Sequence, residues 1–127
     1  MNASKVKIAI VDDDESFGRA IGRLLRASQK YEPSIFSSAE AYLEHEDRDV
    51  PDCLVLDINL GGMSGLDLQR KLAATGHKTP IIFVTADDSP GYRTEAQQLG
   101  CAAYLRKPVP GHMLLGAIAR VIEEENT

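Results

Sequence analysis

Tryptophan is absent, and only two cysteines occur in 127 residues. Two thiols cannot build the disulfide framework of a small secreted domain. Cys53 and Cys101 each lie beside an apolar run, so buried, reduced thiols of a cytoplasmic protein are expected rather than a disulfide. No apolar run approaches the length that crosses a bilayer. The opening stretch "MNASKVKIAIVDDD" lacks a signal-peptide core, because acids arrive too soon. Basic charge is in deficit too: 14 Lys and Arg stand against 19 Asp and Glu, for a net charge of -5. That balance argues against indiscriminate attraction to nucleic acid or to an anionic membrane. Repeats, low-complexity tracts and linker-like segments are also missing.

What is present suffices for one domain, taken as residues 1–127 with a core over about 6–122. Hydrophobic residues make up 43% of the chain, enough for a sizeable core at this length. Short apolar runs occur at Val6–Val11, Tyr31–Phe36, Cys53–Asp57, Ile81–Thr85 and Ala102–Arg106. Each suits a strand. Amphipathic stretches lie between them. Phe17, Ala20, Ile21, Leu24 and Leu25 predict one face of a first helix. Ser37 with Glu40 predicts a capping box for the second, and Ser64 with Asp67 for the third. Gly76 and Pro80 close the third. The fourth, near Pro90–Leu99, has a poor stripe with only Ala96 and Leu99 clear. The last runs from about Pro110, with Leu114, Ala117, Ile118, Val121 and Ile122 inward. Strict alternation of strand and helix predicts an α/β fold: a parallel sheet with helices on both faces. Continuously apolar strands fit a sheet covered on both sides.

Ligands of open parallel sheets bind beyond the carboxyl ends of the strands. The first strand ends there in Asp12, Asp13 and Asp14, the third in Asp57, the fourth in Thr85 and Ala86, and the fifth in Lys107 and Pro108. Carboxylates crowded at one edge repel unless a cation intervenes. An oxygen-only ligand set suits a hard divalent cation such as Mg²⁺. A carboxylate beside a metal, a hydroxyl and a lysine is a nucleophile poised for phosphoryl transfer. Thr85 offers the hydroxyl, Lys107 the ammonium, and the small Ala86 leaves space. Each residue also has a plainer reading. An acidic run is usually a solvated turn, and Asp14 fits a helix cap. Thr85 is an ordinary strand former, and Tyr104 an ordinary packing aromatic. His45, His77 and His112 read as surface residues without a metal or phosphotransfer role. "GGMSG" lacks the lysine and hydroxyl residue of a phosphate loop.

The motifs "IVDDDES", "CLVLDINLGGMSG", "FVTA" and "YLRKP", in this order and spacing, closely resemble the receiver domain of two-component response regulators, over Val6 to about Ile122. "FSSAEAYLE" and "GMSGLDLQ" look like receivers that precede DNA-binding domains. The resemblance implies a flavodoxin-like doubly wound (βα)5 fold with a five-stranded parallel sheet in the order 2-1-3-4-5. It implies Asp57 as phosphoacceptor and Mg²⁺ held by Asp13 directly, by Asp12 largely through water, by Asp57, and by the backbone carbonyl of Asn59. Thr85 becomes the switch hydroxyl, Lys107 the partner of Asp57 or its phosphoryl group, and Tyr104 the switch aromatic that turns inward on activation. A cis Lys107–Pro108 bond is implied as well. The phosphoryl donor would be a histidine kinase or a histidine phosphotransfer protein. An output partner or domain would read the face of the fourth helix, fifth strand and fifth helix, and dimerisation through that face fits the family. Direct nucleic-acid or membrane binding by this chain is not expected.

Two departures stand out. Leu60-Gly61 replaces the family's usual Met-Pro, which should loosen that loop. "ADDSPGY" places Asp87 and Asp88 next to the site, and Asn59 with Asp87 is expected to tune hydrolysis of the acyl phosphate. Two other classes compete. An aspartate-nucleophile phosphatase or dehalogenase needs a second acid two residues after the nucleophile, where this chain has Asn59, and a cap for which it has no room. A phosphate-independent interaction module would not need Asp12, Asp13, Asp57, Thr85 and Lys107 together. The chain is therefore not expected to be an enzyme beyond assisting its own phosphotransfer and dephosphorylation.

Overall fold

The computed structural model describes residues 5–46, 49–87 and 89–125. Five strands alternate with five helices. They are β1 (Val6–Val11), α1 (Glu15–Ala27), β2 (Tyr31–Phe36), α2 (Ala39–Glu46), β3 (Cys53–Leu56), α3 (Gly65–Ala74), β4 (Ile81–Thr85), α4 (Pro90–Gln98), β5 (Ala103–Arg106) and α5 (Gly111–Glu125). All strand pairs are parallel, in the order β2-β1-β3-β4-β5. Side chains alternate across each strand. In β3, Leu54 and Leu56 enter the core layer beneath α2, α3 and α4, whereas Cys53 and Val55 enter the layer beneath α1 and α5. Both layers are built from buried apolar side chains, which is why the central strands β3 and β4 are buried throughout, whereas the edge strand β2 carries the exposed Glu32. No described helix is long and apolar enough to cross a membrane. Cys53 and Cys101 are free thiols. Burial pushes the Cys53 thiol up to about 12, while Cys101 is only half-buried.

Several local expectations shift. In α1 the buried face is Gly18, Ile21, Gly22 and Leu25. Ala20 is exposed, and Phe17 and Leu24 are half-buried. The helix crosses β2 so closely that a Cβ on Gly18 or Gly22 would stand 3.0 Å from the Ile35 side chain. Hydropathy counts glycine as neutral and misses such a contact. Ser38, not Ser37, caps α2, its Oγ accepting from Ala41 N at 3.0 Å. Glu40 does not close a capping box there; it accepts from Met63 N at 2.8 Å. The Ser64–Asp67 capping box of α3 is present. In α4 Ala96 is buried but Leu99 is 38% exposed, because the helix ends before Leu99 can turn inward. His77 is half-buried rather than fully on the surface, with Nδ1 2.8 Å from Thr75 Oγ1.

β4 ends in Thr85 itself, and β1, β3 and β5 stop one residue before Asp12, Asp57 and Lys107, yet the ladder continues through those residues. Asp12 N donates to Phe36 O at 3.0 Å, Asp57 N to Val11 O at 3.0 Å, and Lys107 N to Thr85 O at 2.9 Å. The last rung of the sheet thus fixes each backbone while its side chain faces the rim. α3 then starts hard against the end of β3. Gly65 N donates to Ile58 O at 2.8 Å, and a Cβ on Gly65 would fall 2.1 Å from the Asp57 carbonyl oxygen. Backbone cannot yield as a flexible side chain can. Gly65→Ala is therefore expected to lower stability by about 2 kcal/mol or more, read as a lower urea midpoint at unchanged slope.

Candidate functional site

Asp12 and Asp57 arrive side by side because β1 and β3 are neighbours. Asp12 is 2% exposed, Asp57 7% and Thr85 1%. Isolated charges at such burial would be strongly unfavourable. The remedy comes from the end of β5: Lys107 Nζ reaches Asp12 Oδ2 at 2.8 Å and Asp57 Oδ2 at 3.2 Å. The ammonium also lies 4.4 Å from the centroid of the Phe17 ring, a cation–π contact. Burial works against its charge, but the Asp12 hydrogen bond and the two carboxylates outweigh it, so Lys107 is held above the usual lysine range. The remaining oxygens are engaged by nearby amides. Asp12 Oδ1 accepts from Asp14 N at 2.9 Å, and Asp57 Oδ1 from Asn59 N at 3.3 Å. Burial pushes the Asp12 carboxyl up despite Lys107 and the Asp14 amide.

Asp13 is exposed. One carboxylate oxygen each from Asp12, Asp13 and Asp57 lies within 4.8 Å of the others. This donor set is all oxygen and strongly anionic, and it is open to solvent at Asp13. It fits a hard divalent cation such as Mg²⁺. Asp14 stands aside as the cap of α1, accepting from Phe17 N at 3.2 Å.

The β4–α4 side is a chain of short contacts. Thr85 Oγ1 accepts from Asp87 N at 3.1 Å. Asp87 Oδ2 accepts from Asn59 Nδ2 at 3.1 Å, and Oδ1 from Ser89 Oγ at 2.6 Å and Ser89 N at 3.1 Å. Ser89 first and Asn59 second hold the Asp87 carboxyl below its usual range. Ala86 is exposed beside them; Asp88 lies outside the described residues. Tyr104 is half-buried. Its ring packs 5.9 Å from that of Phe83, and the Arg93 guanidinium sits 4.9 Å from its centroid. The Lys107–Pro108 bond is cis. The structure thus gathers Asp12, Asp13, Asp57, Asn59, Thr85, Asp87 and Lys107 at one edge, with Tyr104 one strand face away on β5. Sequence reasoning missed three contributors. Phe17 was placed on a core stripe, Glu40 in a cap, and Gly65 was quoted within a motif but given no role.

The sequence profile of the response regulator receiver domain matches residues 8–119. The response regulator protein TmoT of Ectopseudomonas mendocina is 37% identical over 123 residues, covering 97% of this chain and 56% of that protein. Nodulation protein W of Bradyrhizobium diazoefficiens is 36% identical over 123 residues, covering 97% of this chain and 54% of its own length. The chain spans about half the length of these curated relatives. Among solved structures, a CheY-like response regulator receiver domain protein from Methanospirillum hungatei matches with a TM-score of 0.91 at 28% identity, over 97% of this chain and 98% of that one.

The upward shift of Asp12 has a stability consequence. The folded protein prefers the protonated carboxyl, so this contribution is fully present below the usual value of 3.8 and is lost as pH rises through the folded value. In chelator, Asp12→Asn is expected to flatten that decline and to raise the neutral-pH melting midpoint. Thermal melts of both proteins across pH 3–8 check it.

Proposed function

The chain belongs to the response regulator receiver family of two-component signal transduction, and from that premise we propose that Asp57 accepts a phosphoryl group from a phosphohistidine on a partner kinase or phosphotransfer protein. One observation carries this assignment. Asp57 is a nearly buried carboxylate at a strand end, with an ammonium on one oxygen and two further carboxylates close by. A carboxylate oxygen forms a bond to phosphorus, the phosphorus–nitrogen bond to the donor imidazole breaks, and the imidazole leaves with the electron pair. Asp12, Asp13, Asp57 and the Asn59 carbonyl would hold Mg²⁺. When bound, the ion supplies positive charge that offsets repulsion between the carboxylate and the incoming phosphoryl oxygens.

The protein's own residues complete the switch. Lys107 moves its hydrogen bond from Asp57 to a phosphoryl oxygen. The exposed Ala86 leaves that volume clear. Thr85, now accepting from the Asp87 amide, turns to donate to a second phosphoryl oxygen. Tyr104 follows into the space that Thr85 vacates, and the face of α4, β5 and α5 is reshaped for an output partner, an output domain or a second copy. This is a two-state equilibrium biased by phosphorylation. Residues 1–127 act as one receiver unit in the cytoplasm, with no turnover of external substrates and no direct part in binding nucleic acid. The phosphatase reading loses its second acid: that position is Asn59, whose side chain donates to Asp87. No observation favours the phosphate-independent module.

Intact mass after incubation with acetyl phosphate and Mg²⁺ tests the assignment. A single phosphoryl adduct is expected for wild type, lost without Mg²⁺ and lost in Asp57→Ala. No adduct, where a control receiver is modified, would overturn it. Asp87, tied to Asn59 across the site, is further expected to orient attacking water. Asp87→Ala should slow loss of the adduct several-fold, and an unchanged rate would refute that role.

A further inference from the structure

The loop from Asn59 to Ser64 carries the carbonyl assigned to Mg²⁺, yet its sequence is poorly suited to holding a shape. Gly61 has φ +85 and Gly62 follows it. Both are residues that leave the backbone wide freedom. Two side chains from elsewhere in the fold restrain it. Asp87 holds the Asn59 end. At the other end Glu40 Oε2, from the first turn of α2, accepts from Met63 N at 2.8 Å. The same carboxylate lies against Gly62 so closely that a Cβ there would stand 2.8 Å from Oε2 and 3.3 Å from Oε1. Gly62 thus makes room for Glu40, and Glu40 secures the amide that follows it. By contrast, the Asn59 and Ser64 amides donate to Asp57 and Asp67, close neighbours in the chain that travel with the loop.

We infer that Glu40 is a positioning residue for the phosphoryl site: by accepting from Met63 N across a glycine that admits it, it fixes the loop carrying the Asn59 carbonyl and so raises Mg²⁺ affinity and the rate of Asp57 phosphorylation. The inference deepens the reading of Asp57 as phosphoacceptor and of the Asn59 carbonyl as a metal ligand, and it rests on that reading. The Met63 amide is also the main reason the Glu40 carboxyl lies below its usual range, as expected for an ionised acceptor. What the loop needs from residue 40 is a hydrogen-bond acceptor at that length, so glutamine can serve where alanine cannot.

The test is an MgCl2 titration of the unphosphorylated full chain followed by amide NMR, with hydrogen exchange at Met63 as a second readout. Glu40→Ala is expected to weaken Mg²⁺ binding about three- to tenfold, below the roughly 10–100-fold of a direct outer-shell partner, and to speed exchange at Met63. Glu40→Gln restores both. Gly62→Ala pushes the carboxylate off Met63 and reproduces the Glu40→Ala loss. The double variant is no worse than either single change, because both break one contact. Wild-type affinity in Glu40→Ala would overturn the inference alone. Equal losses in Glu40→Ala and Glu40→Gln would also overturn it, assigning the effect to long-range charge, and so would additive losses in the double variant. A wild-type chain that binds no Mg²⁺ would sink this inference together with the reading beneath it.

Discussion

The contact on which the arrangement depends is the Lys107 ammonium lodged between the carboxylates of Asp12 and Asp57. Two acids on adjacent strands, both nearly buried, repel each other and lose hydration. A cation placed between them offsets both costs, and the sheet delivers one. β5 lies two strands from β3, so Lys107 must reach back over the end of β4. That reach crosses the spot where Thr85 and Ala86 stand. The ion triad therefore encloses a small polar space at the carboxyl edge, beside the point where the strand order doubles back between β1 and β3. The same geometry leaves Lys107 exchangeable. Its bond to Asp57 is longer than its bond to Asp12, so a new anion on Asp57 can recruit it without abandoning Asp12.

Most of this edge was legible in the sequence, for a physical reason. A parallel sheet covered on both faces demands unbroken apolar strands, and any polar residue that ends such a run must lie at the rim. Val11 to Asp12 and Leu56 to Asp57 mark that transition in one dimension. Topology and roles came from the resemblance to receivers. What stayed hidden is close approach. Gly18 and Gly22 face Ile35, and Gly65 faces the Asp57 carbonyl. A missing side chain carries no hydropathy signal, so the apolar spacing of α1 points Ala20 inward and Gly65 goes unmarked. Long-range polar contacts were hidden in the same way. Glu40 sits three residues after Ser37 and matches a cap, but its carboxylate goes to Met63 across 23 positions, a choice that local spacing cannot encode.

The loop after β3 shows how a flexible sequence can still present an ordered surface. Where the family usually has a proline that fixes φ, this chain has Gly61 and Gly62. Order is supplied instead by the loop's own Leu60, buried at 4% exposure, and by two anchors from outside it, Glu40 at one end and Asp87 at the other. A loop stiffened by its own backbone is rigid in every state of the molecule. One held by two carboxylates is rigid only while those contacts last, and one of them, from Asp87, lies beside the proposed phosphoryl site.

That neighbourhood leads to α4. Ser89 stands at the N-cap of α4, yet its side chain makes no capping hydrogen bond; its hydroxyl is spent on Asp87. Asp87 in turn gives its amide to Thr85. The far end of α4 is secured differently, by Gln69 Nε2 on Ala96 O at 3.1 Å and by the Arg70–Glu95 ion pair at 2.5 Å, both from α3. One end of the helix is thus anchored to α3, and the other is held by Tyr92 packing on the core and by a relay that begins at the Thr85 hydroxyl. In the proposed switch, a Thr85 hydroxyl that turned to an anion on Asp57 would leave the Asp87 amide without this acceptor and would disturb the Asp87–Ser89 contact. The start of α4 would then be freer to adjust than its end. Apolar resistance is small, with Ala96 the one buried residue of the helix among those described and Tyr92 half-buried against the core, so under the proposed switch a change of one hydrogen bond at the site would be passed to the start of this helix.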